Sequence, residues 1–433
     1  MTALMTSGRA SLRNNSSRRT VRVGFIPLVD CASIVVAADQ GFAVAEGLDL
    51  VLCRESSWAA IRDHLNLGYI DAAHMLAGMP IAASLGIGHV RVPTLAPLSL
   101  NLNGNAITVS INLHERMHET GEIEQRNDPS ATGSALKRVI TERARKGKDP
   151  LTFGMVYPFS CHNYELRYWM AASGIDPDRD VRLVVIPPPL MVESLRSGVV
   201  HGFCVGEPWN SLAVDAGVGR IILSKTAIWQ LGPEKVLGVR ADWAEREADV
   251  LFALIRALHA AAIWADAPEN RSAVARLLAA RHRLDFSQDL IEHALRGRLA
   301  FTQDGSVENV DNFLVFHRHA ATFPWVSHAL WIYSQMRRWG QAPANLADLE
   351  IVRGVFRPDL YRQALGEDHW PVPLCDKKIE GAAASLSGLA AGSGTIPFGP
   401  DRFFDAHVFD PDDIDGYLAT LRANDRGNPS RSG

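Results

Sequence analysis

Two groups of residues in this chain have side chains suited to chemistry. The first is a scatter of cysteines. Cys31, Cys53, Cys161, Cys204 and Cys375 are widely spaced, odd in number and contain no C-x-x-C pair. That pattern gives neither a disulfide framework nor a zinc site and suits a reducing compartment; most of the five read as small buried apolar side chains. The second group is a set of single polar residues placed where elements begin. Lys235 lies in GPEKVLG at the entry to an apolar strand, and composition alone makes it a surface lysine at a strand edge. His162 follows Tyr157-Pro158-Phe159-Ser160-Cys161 and opens a helix, where a histidine is most often a cap or a surface residue. Trp58 stands near a helix start, as ordinary core or as an indole whose N–H can only donate. Asn105, between Gly104 and Ala106, reads equally as a turn residue. No G-x-S-x-G, H-E-x-x-H or phosphate loop occurs, so nothing points to an enzyme.

The elements that must position these residues follow from periodicity. Val21–Pro27 is a short apolar strand ending at proline, Ser33–Gln40 a small-residue helix closed by Gly41, and Leu48–Arg54 the next strand. Ser57–Leu67 is a helix ending at Gly68, and Ile70–Met75 another strand. Strands alternating with helices of about ten residues imply a mainly parallel sheet with helices on its faces. Val92–Ser110 holds two extended runs joined by an Asn/Gly turn and crosses to a second unit. A second series follows: a helix over Ser134–Lys146, strand Thr152–Val156, helix His162–Ser173, strand Val181–Ile186, helix Leu190–Ser197 and strand Gly202–Val205. Ile221–Ser224 and Lys235–Ala241 form the return to the first unit, and Trp243 to about Trp339 is helical. Gly381–Pro397 (GAAASLSGLAAGSGTIP) reads as a flexible loop or linker. The division predicted is a disordered segment 1–20, a discontinuous first domain 21–110 and 225–420, a second domain 111–224 and a flexible tail 421–433.

Composition narrows the class. With 433 residues and 47% apolar content the chain is globular. A formal charge of −4 does not indicate a nucleic-acid surface. No stretch approaches the roughly 18–20 uninterrupted apolar residues of a membrane span. Met1–Thr20 lacks the apolar run of a secretory leader. Arg18-Arg19 faintly resembles a twin-arginine start, and Leu28-Val29-Asp30-Cys31 a lipoprotein box, but cleavage at Cys31 would delete the first strand. These features predict a cytoplasmic protein.

Nine segments in order carry a resemblance that spans roughly residues 21–420. They include GFIPLVDCASIVVAADQGFAVAEGLDL from Gly24, SSWAAIRDHLNLGYIDAAHMLAGMP from Ser56, LNLNGNAITVS from Leu100 and CHNYELRYWMAASGIDP from Cys161. GFCVGEPWN from Gly202, GPEKVLGVRADW from Gly232, QMRRWGQ from Gln335, RPDLYR from Arg357 and FFDAHVFDP from Phe403 complete them. Together they resemble the nitrate- and bicarbonate-binding family of transporter solute receptors; the absent leader points to its cytoplasmic nitrate/nitrite sensor (NasS-like) branch. The resemblance implies an α/β, two-domain periplasmic-binding-protein-like fold (type II) with the ligand in the interdomain cleft.

It also implies a ligand set. The family's ligand positions fall on Trp58, Asn105, His162 and Lys235, with Asp30, Gly206, Glu207 and Trp209 behind them or between the domains. Ser33, Ser56 and Ser57 are further possible donors. Nitrate is planar, singly charged and acceptor-only, so its pocket needs one cation, several N–H donors and no carboxylate aimed at the anion. Lys235 supplies the charge in a desolvated hydrogen bond. His162 donates, helped by the helix N-terminus, and Trp58 donates and walls the slot. Asn105 shortens a donor arm where relatives more often carry glutamine. Bicarbonate-binding relatives have a carboxylate in place of the lysine, with calcium nearby, so Lys235 favours nitrate or nitrite and no metal or cofactor. The function implied is a cytoplasmic sensor whose anion-bound form releases an RNA-binding antiterminator protein that governs nitrate assimilation. The alternative is an exported nitrate-binding subunit of an ABC transporter. A third class, the pyrimidine-precursor synthases of thiamine synthesis, has a similar fold but a tight cysteine cluster that this chain lacks.

Overall fold

Val21, Val23 and Phe25 alternate inward along the first strand and bury completely, and that row seeds the larger sheet. The computed structural model describes residues 18–120, 126–366 and 370–426. The strands, in chain order, are β1 (Arg19–Phe25), β2 (Leu48–Arg54), β3 (Ala72–Leu76), β4 (Thr94–Asn103), β5 (Asn105–Ser110), β6 (Leu151–Met155), β7 (Val181–Val185), β8 (Gly202–Gly206), β9 (Gly219–Ser224) and β10 (Pro233–Arg240). After them come β11 (Arg298–Ala300), β12 (Val307–Asn309), β13 (Leu314–Val315), β14 (Ser387–Ala391) and β15 (Gly394–Phe398).

Two sheets organise the molecule. The first runs β13-β4-β10-β3-β1-β2, with β1 parallel to β2 and β3, and β10 antiparallel to β3 and β4. The second runs β7-β6-β8-β5-β9, with β6 parallel to β7 and β8 and β5 antiparallel to β8 and β9. The chain crosses between them at Gly104, whose φ of 97° only glycine adopts readily, and again between β9 and β10. The crossing expected by Ser110 therefore comes six residues earlier, because all of β5 pairs in the second sheet. Ile221–Ser224 likewise belongs to β9 of the second sheet, and the return lies between it and β10.

Other expectations change at the ends. The segment called disordered to residue 20 already pairs from Arg19, opposite Leu48, and residues 1–17 lie outside the described ones. Gly381–Pro397, expected as a linker, contains most of the β14–β15 hairpin, registered from Ser387↔Phe398 to Ala391↔Gly394. The tail predicted from residue 421 continues a helix, Ile414–Arg426, and residues 427–433 fall outside the described set.

Helix Ala248–Asp266 has the length and composition of a membrane span. It packs against helix Ala32–Asp39 and buries Leu251, Leu254 and Leu258, so it serves here as a core helix. A second apolar core runs from Ile26 and Met75 of the first sheet's side, through Ile107 and Phe203 of the second, to Trp331 and Tyr417 of the C-terminal helices. The C-terminal part thus joins both sheets rather than extending one. Cys31, Cys161 and Cys204 are buried free thiols, as small core residues, and Cys375 is exposed.

Candidate ligand-binding site between the two sheets

Lys235 sits on β10 with its side chain wholly buried, where a lone ammonium would cost several kcal/mol. It is compensated: Nζ lies 2.7 Å from Asp30 Oδ2 and 2.6 Å from Glu234 Oε1. Asp30 follows β1 and also faces His74 Nε2 of β3 at 3.1 Å. The Trp58 ring lies 5.6 Å from the Lys235 ammonium, within cation–π range, and packs on the His74 ring at 5.4 Å. Trp58 is the first residue of helix Trp58–Leu67, whose start Ser57 fixes by accepting from the Ala60 N–H.

The second sheet supplies the opposite wall. His162 is the second residue of helix Cys161–Ala172, capped by Ser160 accepting from the Asn163 N–H at 3.1 Å. Its Nδ1 is 3.4 Å from Glu234 Oε1. Asn105 opens β5, and its Nδ2 donates to Glu234 Oε2 at 2.5 Å. Gly206 ends β8 opposite Asn105; a Cβ there would stand 3.3 Å from Asp30 Oδ2 and 3.5 Å from Asn105 Oδ1, so the glycine backbone packs close to both side chains. Asp30, Trp58, His74, Asn105, His162, Glu234 and Lys235 are at most 2% exposed.

The structure therefore brings Trp58, Asn105, His162, Lys235, Asp30 and Gly206 together. Glu207 stands back from them. Its carboxylate accepts from the Ser211 N–H, its N–H donates to Gly104 O, and its own carbonyl accepts from Val29 N–H at 2.9 Å, which ties the two sheet units. Burial pushes the Glu207 carboxyl up to about 7. Trp209 packs edge-on against Phe286 at 5.0 Å and faces another part of the molecule. Of the serines, Ser57 caps a helix and Ser33 is buried with no hydrogen-bond partner.

Four residues were not anticipated: His74, Glu234, Lys225 and Glu165. Glu234 is a carboxylate inside the cluster, contrary to the expectation that none would face the ligand. Lys225 Nζ lies 2.8 Å from Glu165 and 3.3 Å from Glu234, and all three side chains are buried. Cys161, Glu165 and Glu234 bring three metal-ligand atoms within 4.8 Å of one another. The Lys225 ammonium already bonds both carboxylates and supplies the positive charge there, and burial holds the Cys161 thiol well above its usual range.

The charges sort by partner. Burial opposes charge at every member, and who wins depends on the neighbours. At Asp30 the pull of Lys235 and the bond to His74 outweigh burial and hold the carboxyl below its ordinary range. Burial lowers Lys235, but Asp30 and Glu234 more than offset it, so it stays cationic. Burial raises Glu165 beyond what Lys225 returns, so it keeps its proton at neutral pH. Glu234 goes the other way, since His162, Lys235 and Lys225 outweigh its burial. Burial drives His162 down to about 3, with Glu234 only partly compensating, and lowers His74 too. Two carboxylates thus face two ammoniums among neutral imidazoles, and the cluster is balanced.

The carboxylate acceptors are occupied while donors remain. Both Glu234 oxygens and both Asp30 oxygens face N–H groups. Trp58 Nε1 is a buried donor without a hydrogen-bond partner, whereas neutral His162, with Nδ1–H toward Glu234, leaves Nε2 as a partnerless lone pair. Lys235 has three protons and two acceptors. Asn105 gives one Nδ2 proton to Glu234 Oε2 and keeps a second, while its Oδ1 has no partner, so it holds Glu234 and retains a donor.

Known proteins resemble this chain over most of its length. The family model described as the NMT1-like family matches residues 14–279. The nitrate import ATP-binding protein NrtC of Synechocystis is 35% identical over 94% of the chain and 55% of its own length, so the chain spans about half of that relative. The nitrate/nitrite binding protein NrtA of Synechococcus elongatus is 33% identical over 93% of the chain and 86% of its length. Proteins named for bicarbonate transport and bicarbonate binding match at 36% and 28%. The crystal structure of the periplasmic nitrate-binding protein NrtA from Synechocystis superposes with a TM-score of 0.81 at 29% identity, covering 94% of this chain and 99% of that one. The fold is accordingly the two-domain periplasmic-binding-protein-like one, and the chain belongs to the NMT1-like family, alongside the proteins named for nitrate/nitrite and bicarbonate binding.

Proposed function

We propose that the chain captures nitrate or nitrite in the buried cluster between its sheets and serves as the solute receptor of an import system. The observation that carries this reading is a donor surplus: Trp58 Nε1 is buried without a partner and Lys235 keeps a third proton, while the Asp30 and Glu234 oxygens beside them already face N–H groups. An acceptor-only monoanion fits that inventory. Bicarbonate carries an O–H and would need an acceptor as well, such as Asn105 Oδ1. The relatives named for nitrate import and nitrate/nitrite binding support the same solute.

They also favour the import receptor over the cytoplasmic sensor. Nothing among them supports an antiterminator partner or a cytoplasmic location. Because the ordered sheet starts at Arg19, trimming ahead of it would leave every strand intact. Intact-mass measurement of the native protein checks this point. Recovery of a chain shortened within its first 18 residues supports export, and an untrimmed chain confined to the cytoplasmic extract overturns it.

The ligand is tested by thermal unfolding with nitrate, nitrite, bicarbonate and sulfate on the wild type and Trp58→Phe. Ligand at 100 times Kd stabilises by about 2.7 kcal/mol. Nitrate and nitrite should raise Tm most, and Trp58→Phe, which keeps an aromatic side chain but loses the partnerless indole N–H, should weaken nitrate about tenfold. No shift with nitrate, or an unchanged response in the variant, sinks the assignment.

A further inference from the structure

A second cavity of about 430 Å³ lies away from the charged cluster and shares no residue with it. Its floor is His259 on helix Ala248–Asp266, 2% exposed. Its sides are His317, Phe323 and Tyr361, and its outer wall is Leu386, Thr395, Ile396 and Pro397 on and beside the β14–β15 hairpin.

The cavity is held in shape by bonds that leave ring nitrogens of its histidines over. His259 Nδ1 engages the Tyr361 hydroxyl at 2.9 Å and Thr322 Oγ1 at 3.3 Å, and those two hydroxyls bond each other at 2.7 Å. His259 Nε2 is buried with no partner, and so is His317 Nδ1. Asp266, itself buried, accepts the His317 and Arg318 N–H groups and fixes the turn that presents these rings. His319 and Ala320 follow at φ of 59° and 56°, and the His319 ring engages the Pro397 carbonyl, tethering the hairpin as the outer wall. A non-glycine pair held left-handed is retained where surrounding contacts demand it.

The lining selects the occupant. The His317 ring stands 5.2 Å from the His259 ring and nearly edge-on to it, and Phe323 and Tyr361 add two more flat rings to the lining. Arg318 at the rim is already paired with Asp266 at 3.2 Å, which leaves no free arginine for an ion among the described lining residues. Three metal-ligand atoms within 4.8 Å occur, among the described residues, only at Cys161, Glu165 and Glu234, so these histidines do not form a metal group. A neutral imidazole nitrogen donates or accepts according to tautomer, and a hydroxyl answers either. A cavity of this volume, mostly apolar with one or two convergent polar atoms, has the character of a small-molecule site.

We propose that the cavity between His259, Tyr361 and the β14–β15 hairpin binds an uncharged, flat aromatic molecule bearing a hydroxyl, a phenol of one or two rings, with that hydroxyl on His259 Nε2. This site is independent of the anion-binding reading. The probe is 2-naphthol, titrated by its fluorescence against the full chain in saturating nitrate. One site per chain is expected, with binding weakened at least tenfold by His259→Phe and by Ile396→Trp, which fills the cavity from the half-exposed hairpin. 2-Naphthoate, the same rings with a charge, should bind at least tenfold more weakly. Urea unfolding confirms that each variant is folded, and the two act through different elements. Absence of saturable binding, binding indifferent to both variants, displacement by nitrate, or equal binding of 2-naphthoate each overturns the proposal.

Discussion

Lys235 was expected as a lone cation awaiting an anion, and it is instead the centre of a balanced group. Replacing it leaves Asp30 buried without a counter-charge and Glu234 with Lys225 alone, a loss of about 3–5 kcal/mol for a broken buried pair. Lys235→Glu would therefore test folding before it tested binding. His162 gives a cleaner handle through pH. Its folded pKa, about 3, is depressed by burial below the usual histidine value, so the folded state resists a proton that the unfolded chain accepts. The sign follows: the contribution of neutral His162 is full above about pH 6.5 and is lost as pH falls from there toward 3. At pH 5 the loss from this one group is about 2 kcal/mol. Urea unfolding of the nitrate-free protein at pH 7 and pH 5 should show the wild type losing about that much more than His162→Gln, while His74 and the other buried histidines act equally in both. Equal losses in the two proteins would remove His162 from the account.

At the scale of elements, the periodic segments were legible. The strand expected over Leu48–Arg54 has those bounds, and the helices at Ser57–Leu67 and His162–Ser173 are each one residue from the observed ones, because Ser57 and Ser160 announce the starts. Glu234 was not legible, for a specific reason. Alternation along a strand puts neighbours 234 and 235 on opposite faces. β10 breaks register between Pro233 and Lys235 and again before Val236, and there both side chains meet the same group. A one-residue irregularity of this kind leaves no mark in composition. Lys225 and Glu165 were missed because two charged residues sixty positions apart reveal their pairing only once the helix starting at Cys161 and the return to β10 are placed. The β14–β15 hairpin failed for the opposite reason. Its glycines and alanines look like a linker, and its register comes from the tertiary wall it forms rather than from alternation.

For the whole molecule, a site whose members are at most 2% exposed must open to admit a solute. The contacts divide by which side of the hinge they occupy. On the cleft side, Val29 N–H donates to Glu207 O, Arg62 reaches the Tyr157 hydroxyl at 3.0 Å, and Glu234 gathers Asn105 and His162. On the far side, the C-terminal chain laces the crossing itself: Gln230 N–H donates to Arg402 O, Phe404 N–H to Ile228 O, and Trp229 stacks on Phe403 at 4.5 Å. Tyr168 of the second unit bonds Asp405 at 3.0 Å, so the strap holds the hinge to that unit. Opening should therefore break the Val29–Glu207 bond and leave the Gln230–Arg402 bond made. Amide hydrogen exchange reads the two separately, since each amide reports the opening that frees it. Nitrate at 100 times Kd should slow exchange at Val29 by up to about a hundredfold and leave Gln230 unchanged. Equal slowing at both amides would mean that the whole fold, rather than a hinge, gates the anion, and no slowing at Val29 would mean that the cleft does not open there at all.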